Sequence, residues 1–210
     1  MTPLVVAFAL GGAAWGLASD RIGARWPAHE DGTTRDIDWR TAAVILTAGI
    51  AFGALALRMT DPRDLALFAA WFAALTLLLA TDLDQRLLPD VITLPLIPIA
   101  AVVMLLGLDP LVRGAEGLAV VAAVAIPAVL FALSIPFGSG ALGLGDVKLL
   151  VSVGLILGLA RAFAGIVAGA MLGGVVILVL LVARRVTLKS YVPFGPFLII
   201  GAMWGALLVF

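Results

Sequence analysis

The chain has 210 residues, 63% of them hydrophobic and only 12% charged, with thirteen basic and thirteen acidic side chains and no cysteine. A mean hydropathy of +1.21 and repeated apolar runs near twenty residues exclude a soluble all-α protein and define a polytopic helical membrane protein. Zero net charge gives no reason to expect nucleic acid as a partner. Without cysteine there is neither a disulfide nor a thiolate zinc site, and the single histidine, His29, builds no metal site alone, so no metal or cofactor is expected.

The first apolar run, Pro3–Ala18, follows no basic segment and ends in no Ala-x-Ala cleavage signal. It reads as a retained helix, not a signal peptide, and its Gly11, Gly12 and Gly16 suit close helix packing. Asp20–Arg40 is a polar segment of mixed charge, too short for a domain, with an interfacial turn expected at Trp26–Pro27. Helices are expected at Thr41–Leu57 and Asp64–Ala80. A first polar island then interrupts the hydrocarbon: Thr81–Asp82–Leu83–Asp84–Gln85–Arg86–Leu87–Leu88–Pro89–Asp90.

A fourth helix is expected at Val91–Leu108, with Pro95 and Pro98 shaping its start, and a fifth at Glu116–Ile135, kinked at Pro127. The second polar island is Gly138–Lys148, which sets one carboxylate, Asp146, and one ammonium, Lys148, among glycines. Beyond it the pattern gives helices at Asp146–Ala160 and Ala162–Val182 with a tight turn at Arg161. A basic loop, Ala183–Tyr191, leads to a last helix opened by Pro193–Phe194–Gly195–Pro196.

Eight helices place alternate loops on opposite faces. One face then carries Arg21, Arg25, Arg35, Arg40, Arg86, Lys148, Arg184, Arg185 and Lys189; the other carries Arg58, Arg63, Arg113 and Arg161. This bias puts both polar islands on the cytoplasmic side, with Asp82 and Asp146 at similar depth near the membrane boundary. Carboxylates kept in such surroundings are functional by default. Two of them within hydrogen-bonding distance share one proton and titrate as a unit. One can take a proton from water while the other donates to a scissile carbonyl, which is aspartic-protease chemistry. The start of a helix favours holding the negative charge on Asp146, leaving the shared proton on Asp82. Gly143 and Gly145 are expected to adopt positive φ where needed and to let a substrate backbone come close. Asp84 reads as an interface or capping group.

Asp82-Leu-Asp-Gln-Arg86-Leu-Leu88-Pro89-Asp90, Gly143-Leu-Gly145-Asp146-Val-Lys148 and Pro193-Phe194-Gly195-Pro196 together resemble the bacterial type IV prepilin peptidases, membrane aspartic proteases of the Gly-x-Gly-Asp class. The resemblance covers Asp64 to the C-terminus. It implies that Asp82 and Asp146 are the catalytic pair, and that the substrates are prepilins or pseudopilins, which lose a short basic leader at the cytoplasmic face just before an apolar helix. Arg86, Asp90, Gly143, Gly145 and Lys148 are then expected to contact substrate, Lys148 through an acidic residue early in the mature segment. Bifunctional members resemble one another in a large zinc-binding loop after helix 1, tied to N-methylation. Here Gly16–Pro27 resembles a remnant of it, with Asp20 where an Asn would stand and all four cysteines missing.

The expected organisation is one membrane domain, 1–210, with a shortened cytoplasmic loop at 19–40 and a peptidase core at 64–210, in the bacterial inner membrane. A homodimer is compatible with the sequence. Two other readings stay open at this point. A broader intramembrane aspartic protease of presenilin type shares Gly-x-Gly-Asp. A small proton-coupled transporter would place its carboxylates nearer the bilayer centre, in paired broken helices.

Overall fold

A computed structural model describes residues 2–28, 32–137, 142–185, 187 and 194–208. His29, Glu30, Asp31, the Gly138–Ala141 part of the glycine-rich island, and Lys189, Tyr191 and Pro193 lie outside the described residues. The fold is all-helical, with α1 at Thr2–Gly23, α2 at Trp39–Arg58, α3 at Pro62–Gln85, α4 at Asp90–Leu105, α5 at Glu116–Ser134, α6 at Leu144–Val182 and α7 at Gly195–Leu207. Five of them, α1, α2, α3, α5 and α6, are long and apolar enough to cross a membrane, while α4 and α7 are shorter apolar helices. The protein is therefore a multi-pass membrane protein.

The boundaries follow local chemistry. Asp38 caps α2 by accepting from the Arg40 N–H at 2.8 Å, while Thr41 Oγ1 accepts from the Asp38 N–H at 3.3 Å. That reciprocal cap moves the start ahead of the expected Thr41. Asp61 caps α3 with Pro62 in its first turn, where a missing N–H costs nothing. The same helix runs on past the expected Ala80, because nothing in Thr81–Gln85 breaks it. It stops only where Arg86 turns left-handed (φ 56°, ψ 38°). Asp82 consequently lies inside the last turns of α3 and not at its end.

Among the described residues the eight expected helices become seven, because the sixth and seventh are two arms of α6. A straight helix of that length would measure about 58 Å, roughly twice a 30 Å hydrocarbon core. The break comes at Gly158, with φ 67° and ψ 179°, three residues before the expected turn at Arg161. Only glycine adopts that backbone without strain.

The helices pack in two groups. In the first, α1 lies along α2, and both contact α3; in the second, α4, α5 and α7 pack on α6. Helix α7 also touches α3 and α2 and so joins the groups. Without a hydrophobic driving force between helices in lipid, close packing through small residues does much of the holding. A methyl on Gly12 would stand 2.6 Å from Phe52 Cβ, and one on Gly16 2.9 Å from Ile45 Cα. Gly11, expected to do the same, has open space around it. Gly165 and Gly169 of α6 meet Gly201 and Phe197 of α7 backbone to backbone. Between α2 and α3, Phe52 and Phe72 meet edge to face at 6.0 Å.

The segment between α1 and α2 is pinned by buried charges. Asp20 is fully buried and pairs with Arg21 and Arg35, and it accepts from Thr41 Oγ1 at 2.8 Å. Arg35 also meets Asp38 and Asp84, each at 2.6 Å. Burial works against the Arg35 charge, but Asp20, Asp84 and Asp38 outweigh it and raise its proton affinity. The supposed remnant position Asp20 thus anchors a network that reaches the end of α3. The loop itself is shorter than expected, since α1 runs to Gly23 and α2 begins at Trp39.

At the other end of the bundle, the α4–α5 connection buries Asp109 completely. Its Oδ1 accepts from the Leu111 N–H at 2.8 Å. Burial pushes its carboxyl up to about 7, opposed by the Leu111 N–H, reinforced by Asp64, and opposed again by Arg161 and Arg113. Between the unfolded value near 3.8 and about 7, the folded protein holds a proton that the unfolded chain has released. Its contribution therefore makes stability fall as pH rises across that window and level off above it. Asp109→Asn should remove this slope: the gap between wild-type and mutant melting temperatures in detergent should narrow in favour of the mutant from pH 4 to 7, then stay constant.

Candidate active site

All seven residues singled out in the two polar islands, Asp82, Arg86, Asp90, Gly143, Gly145, Asp146 and Lys148, line a single cavity of about 460 Å³. Leu87, Leu88, Pro89 and Leu144 complete its described lining. Of its three carboxylates, Asp90 stands at the start of α4, and Asp82 and Asp146 come from two other helices. Asp82 is on α3 and only 4% exposed. Asp146 is in the first turn of α6, and both line the same cavity.

Each carboxylate is fixed by a different device. Asp146 Oδ2 accepts from the Gly143 N–H at 3.1 Å, closing a loop at the helix start where backbone N–H groups lack partners. Asp82 is held by contact. A Cβ built on Gly195 would sit 2.8 Å from the Asp82 carboxyl carbon and 3.1 Å from Oδ1. The first residue of α7 thus lies directly against the carboxylate. Among the described residues Asp82 Oδ2 is buried without a hydrogen-bond partner.

The glycines act differently from the sequence expectation. Gly143 has φ −71°, an ordinary extended conformation with no need for glycine's freedom. A Cβ on Gly145 would come within 2.9 Å of Leu88 Cβ and 3.4 Å of the Leu88 carbonyl oxygen. Its missing side chain makes room for the chain's own α3–α4 connection and so brings α3 and α6 to one cavity. Lys148 also differs: its Nζ donates to Asp90 Oδ1 at 2.6 Å, a partner within the chain. The pair spans the cavity rim between the starts of α4 and α6. Both side chains are partly exposed, so it sets position and adds little stability. Asp84 lies outside the cavity and meets Arg35 at 2.6 Å and Arg40 at 3.2 Å.

Gly195 is the residue that sequence reasoning passed over. Its signal was present in Gly195–Pro196, where a residue without a side chain precedes one that fixes the backbone, but that pattern alone reads as a helix start.

The fold and cavity define a class: an all-helical, multi-pass membrane protein with two carboxylates from separate helices at one site. The chain belongs to the type IV leader peptidase family, whose sequence profile matches residues 67–182, more than half of its length. It is 32% identical over 180 residues to a prepilin leader peptidase/N-methyltransferase of Burkholderia pseudomallei (strain K96243), covering 86% of this chain and 53% of that protein. It is 37% identical over 149 residues to the Aeromonas salmonicida protein of the same name, covering 68% of this chain and 48% of the relative. The Stutzerimonas stutzeri counterpart is 33% identical over 127 residues, 60% of this chain and 44% of its own length. The chain thus spans about half the length of these relatives. No solved structure matches it.

Gly195→Ala should abolish peptide cleavage, because the added methyl must displace the Asp82 carboxylate. Gly195→Ala protein that folds and cleaves at the wild-type rate would disconnect this contact from the chemistry.

Proposed function

We propose that the protein is a membrane aspartic endopeptidase that removes the basic leader from prepilins or pseudopilins. The observation that carries this reading is the meeting of Asp82 and Asp146, from α3 and α6, in one cavity; the family membership supports it. Water enters between the carboxylates. The ionised member takes a proton from that water, and the protonated member donates to the scissile carbonyl oxygen as the tetrahedral intermediate forms. The proton taken from water then passes to the leaving amine as the peptide C–N bond breaks, while a hydroxyl of the collapsing intermediate returns its proton to the other carboxylate. No nucleophile of the chain is consumed, so the pair returns to its starting state.

The site faces the cytoplasm in this reading, supported by nine basic residues on its side against four on the other, in the inner membrane of a bacterium. Arg86, Asp90, Gly143, Gly145 and Lys148 shape the cleft that receives the peptide. The loop between α1 and α2 has no cysteine, so we read the N-methyltransferase activity named in the relatives as absent. Nothing favours the transporter. The helix break at Gly158 lies twelve residues beyond Asp146, about 18 Å along a helix, so no carboxylate of the pair sits at a broken-helix centre. The presenilin-type reading finds no support in the relatives.

The test is cleavage of a candidate prepilin in membranes by wild type, Asp82→Asn and Asp146→Asn. Each substitution should slow cleavage by about 10²–10⁴, the scale of a lost acid–base group. Wild-type rates in either variant would remove the assignment. With S-adenosylmethionine added, mass spectrometry should find the new N-terminus unmethylated.

A further inference from the structure

Two apolar cavities lie beside the catalytic cleft. The larger, about 620 Å³, is walled by α2, α3, the second arm of α6 and α7. The other, about 510 Å³, lies between α5 and the first arm of α6. The geometry points to the larger one as the seat of the substrate's own apolar helix, the segment that continues into the bilayer beyond the scissile bond. This rests on the peptidase reading above and extends it from the cut itself to how the substrate is held.

Three features select this groove. It is continuous with the cleft: Arg86 lines both, Leu83 follows Asp82, and Pro196 follows Gly195, whose backbone lies on the Asp82 carboxylate. Its lining is graded. Arg40, Asp84, Gln85 and Arg86 stand at the end nearest the cleft, while Leu79, Leu172, Val176 and Ile200 form hydrocarbon walls. On α2 the lining reaches from Trp39 to Thr47, about 12 Å of helix rise, so the groove descends well into a hydrocarbon layer of about 30 Å. A helix that begins at the interface and runs down into lipid presents that same gradient. The α5–α6 cavity is lined by apolar residues alone and offers no polar end for the first residues after the cut. The groove also has a firm wall, since Gly169 and Gly173 pack directly on Phe197. A preformed wall lets an apolar helix dock by side-chain insertion without first ordering the protein.

The test uses the full chain in liposomes and two substrates with the same residues around the cut, one a membrane-spanning prepilin and the other a soluble peptide without the apolar helix. Val176→Trp fills the groove, and Val124→Trp fills the α5–α6 cavity. Val176→Trp should raise KM for the membrane-spanning substrate and reduce its kcat/KM advantage over the soluble peptide by about tenfold or more, while Val124→Trp keeps the wild-type advantage. An unchanged advantage in Val176→Trp, or its loss in Val124→Trp instead, overturns the assignment. A photoreactive amino acid at Val176 in the Asp82→Asn protein gives a second measure that does not require turnover. Cross-linking to the substrate helix supports the groove, and cross-linking to lipid alone overturns it. If the wild type cuts neither substrate, the peptidase reading itself falls; if it cuts both with equal kcat/KM, only the groove does.

Discussion

A backbone segment laid against a carboxylate fixes the centre of this molecule. Asp82 is buried near the end of α3, and the start of α7 at Gly195 presses on it so closely that even a methyl group would overlap it. Any side chain there would have to move the carboxylate. The contact also ties two parts of the fold that otherwise belong to different groups, because α3 packs with α1 and α2 while α7 packs with α6. The position of one acid therefore depends on the docking of α7, which depends in turn on Gly165 and Gly169 of α6 meeting Gly201 and Phe197. The chain of contacts runs from the α6–α7 packing to the Asp82 carboxylate.

The second acid is placed by independent means. Asp146 closes the first turn of α6 by accepting from the Gly143 N–H, and Gly145 lets that turn settle on Leu88. Lys148 and Asp90 fasten the rim above. The two acids thus reach one cavity because three connections converge: the end of α3, the start of α6 and the start of α7. Local sequence fixes each partner's own setting; tertiary packing fixes their distance.

Hydropathy located the helices well, because a membrane span is a composition as much as a structure. The exceptions have physical causes. Gly158 breaks α6 earlier than Arg161 would suggest, since a charged residue marks an interface while only glycine accepts the required backbone. The motif glycines were recognised, but their partners were not: Gly145 faces Leu88 and not open space, a contact between segments that no local pattern encodes. Lys148 and Asp90 were both visible as charges near the site, yet their pairing across fifty-eight residues was not. Asp20 looked like a relic of another activity and proved to be a buried acid near the end of α1 that pairs with Arg21 and Arg35 and accepts from Thr41. Charges in a loop reveal little until the helices that flank them have packed.

That last network has a consequence for how the chain assembles. Its members come from α1, the following loop, the start of α2 and the end of α3: Asp20, Arg35, Thr41 and Asp84. Helices enter a bilayer one after another, so Asp20 and Arg35 are in place before Asp84 has been delivered. Until α3 arrives, Arg35 lacks one of its three acids. Removing one partner of a buried pair is strongly destabilising, so the network is complete only with the first three helices packed together. The network thereby fastens α1, α2 and α3 into one unit at this end of the bundle.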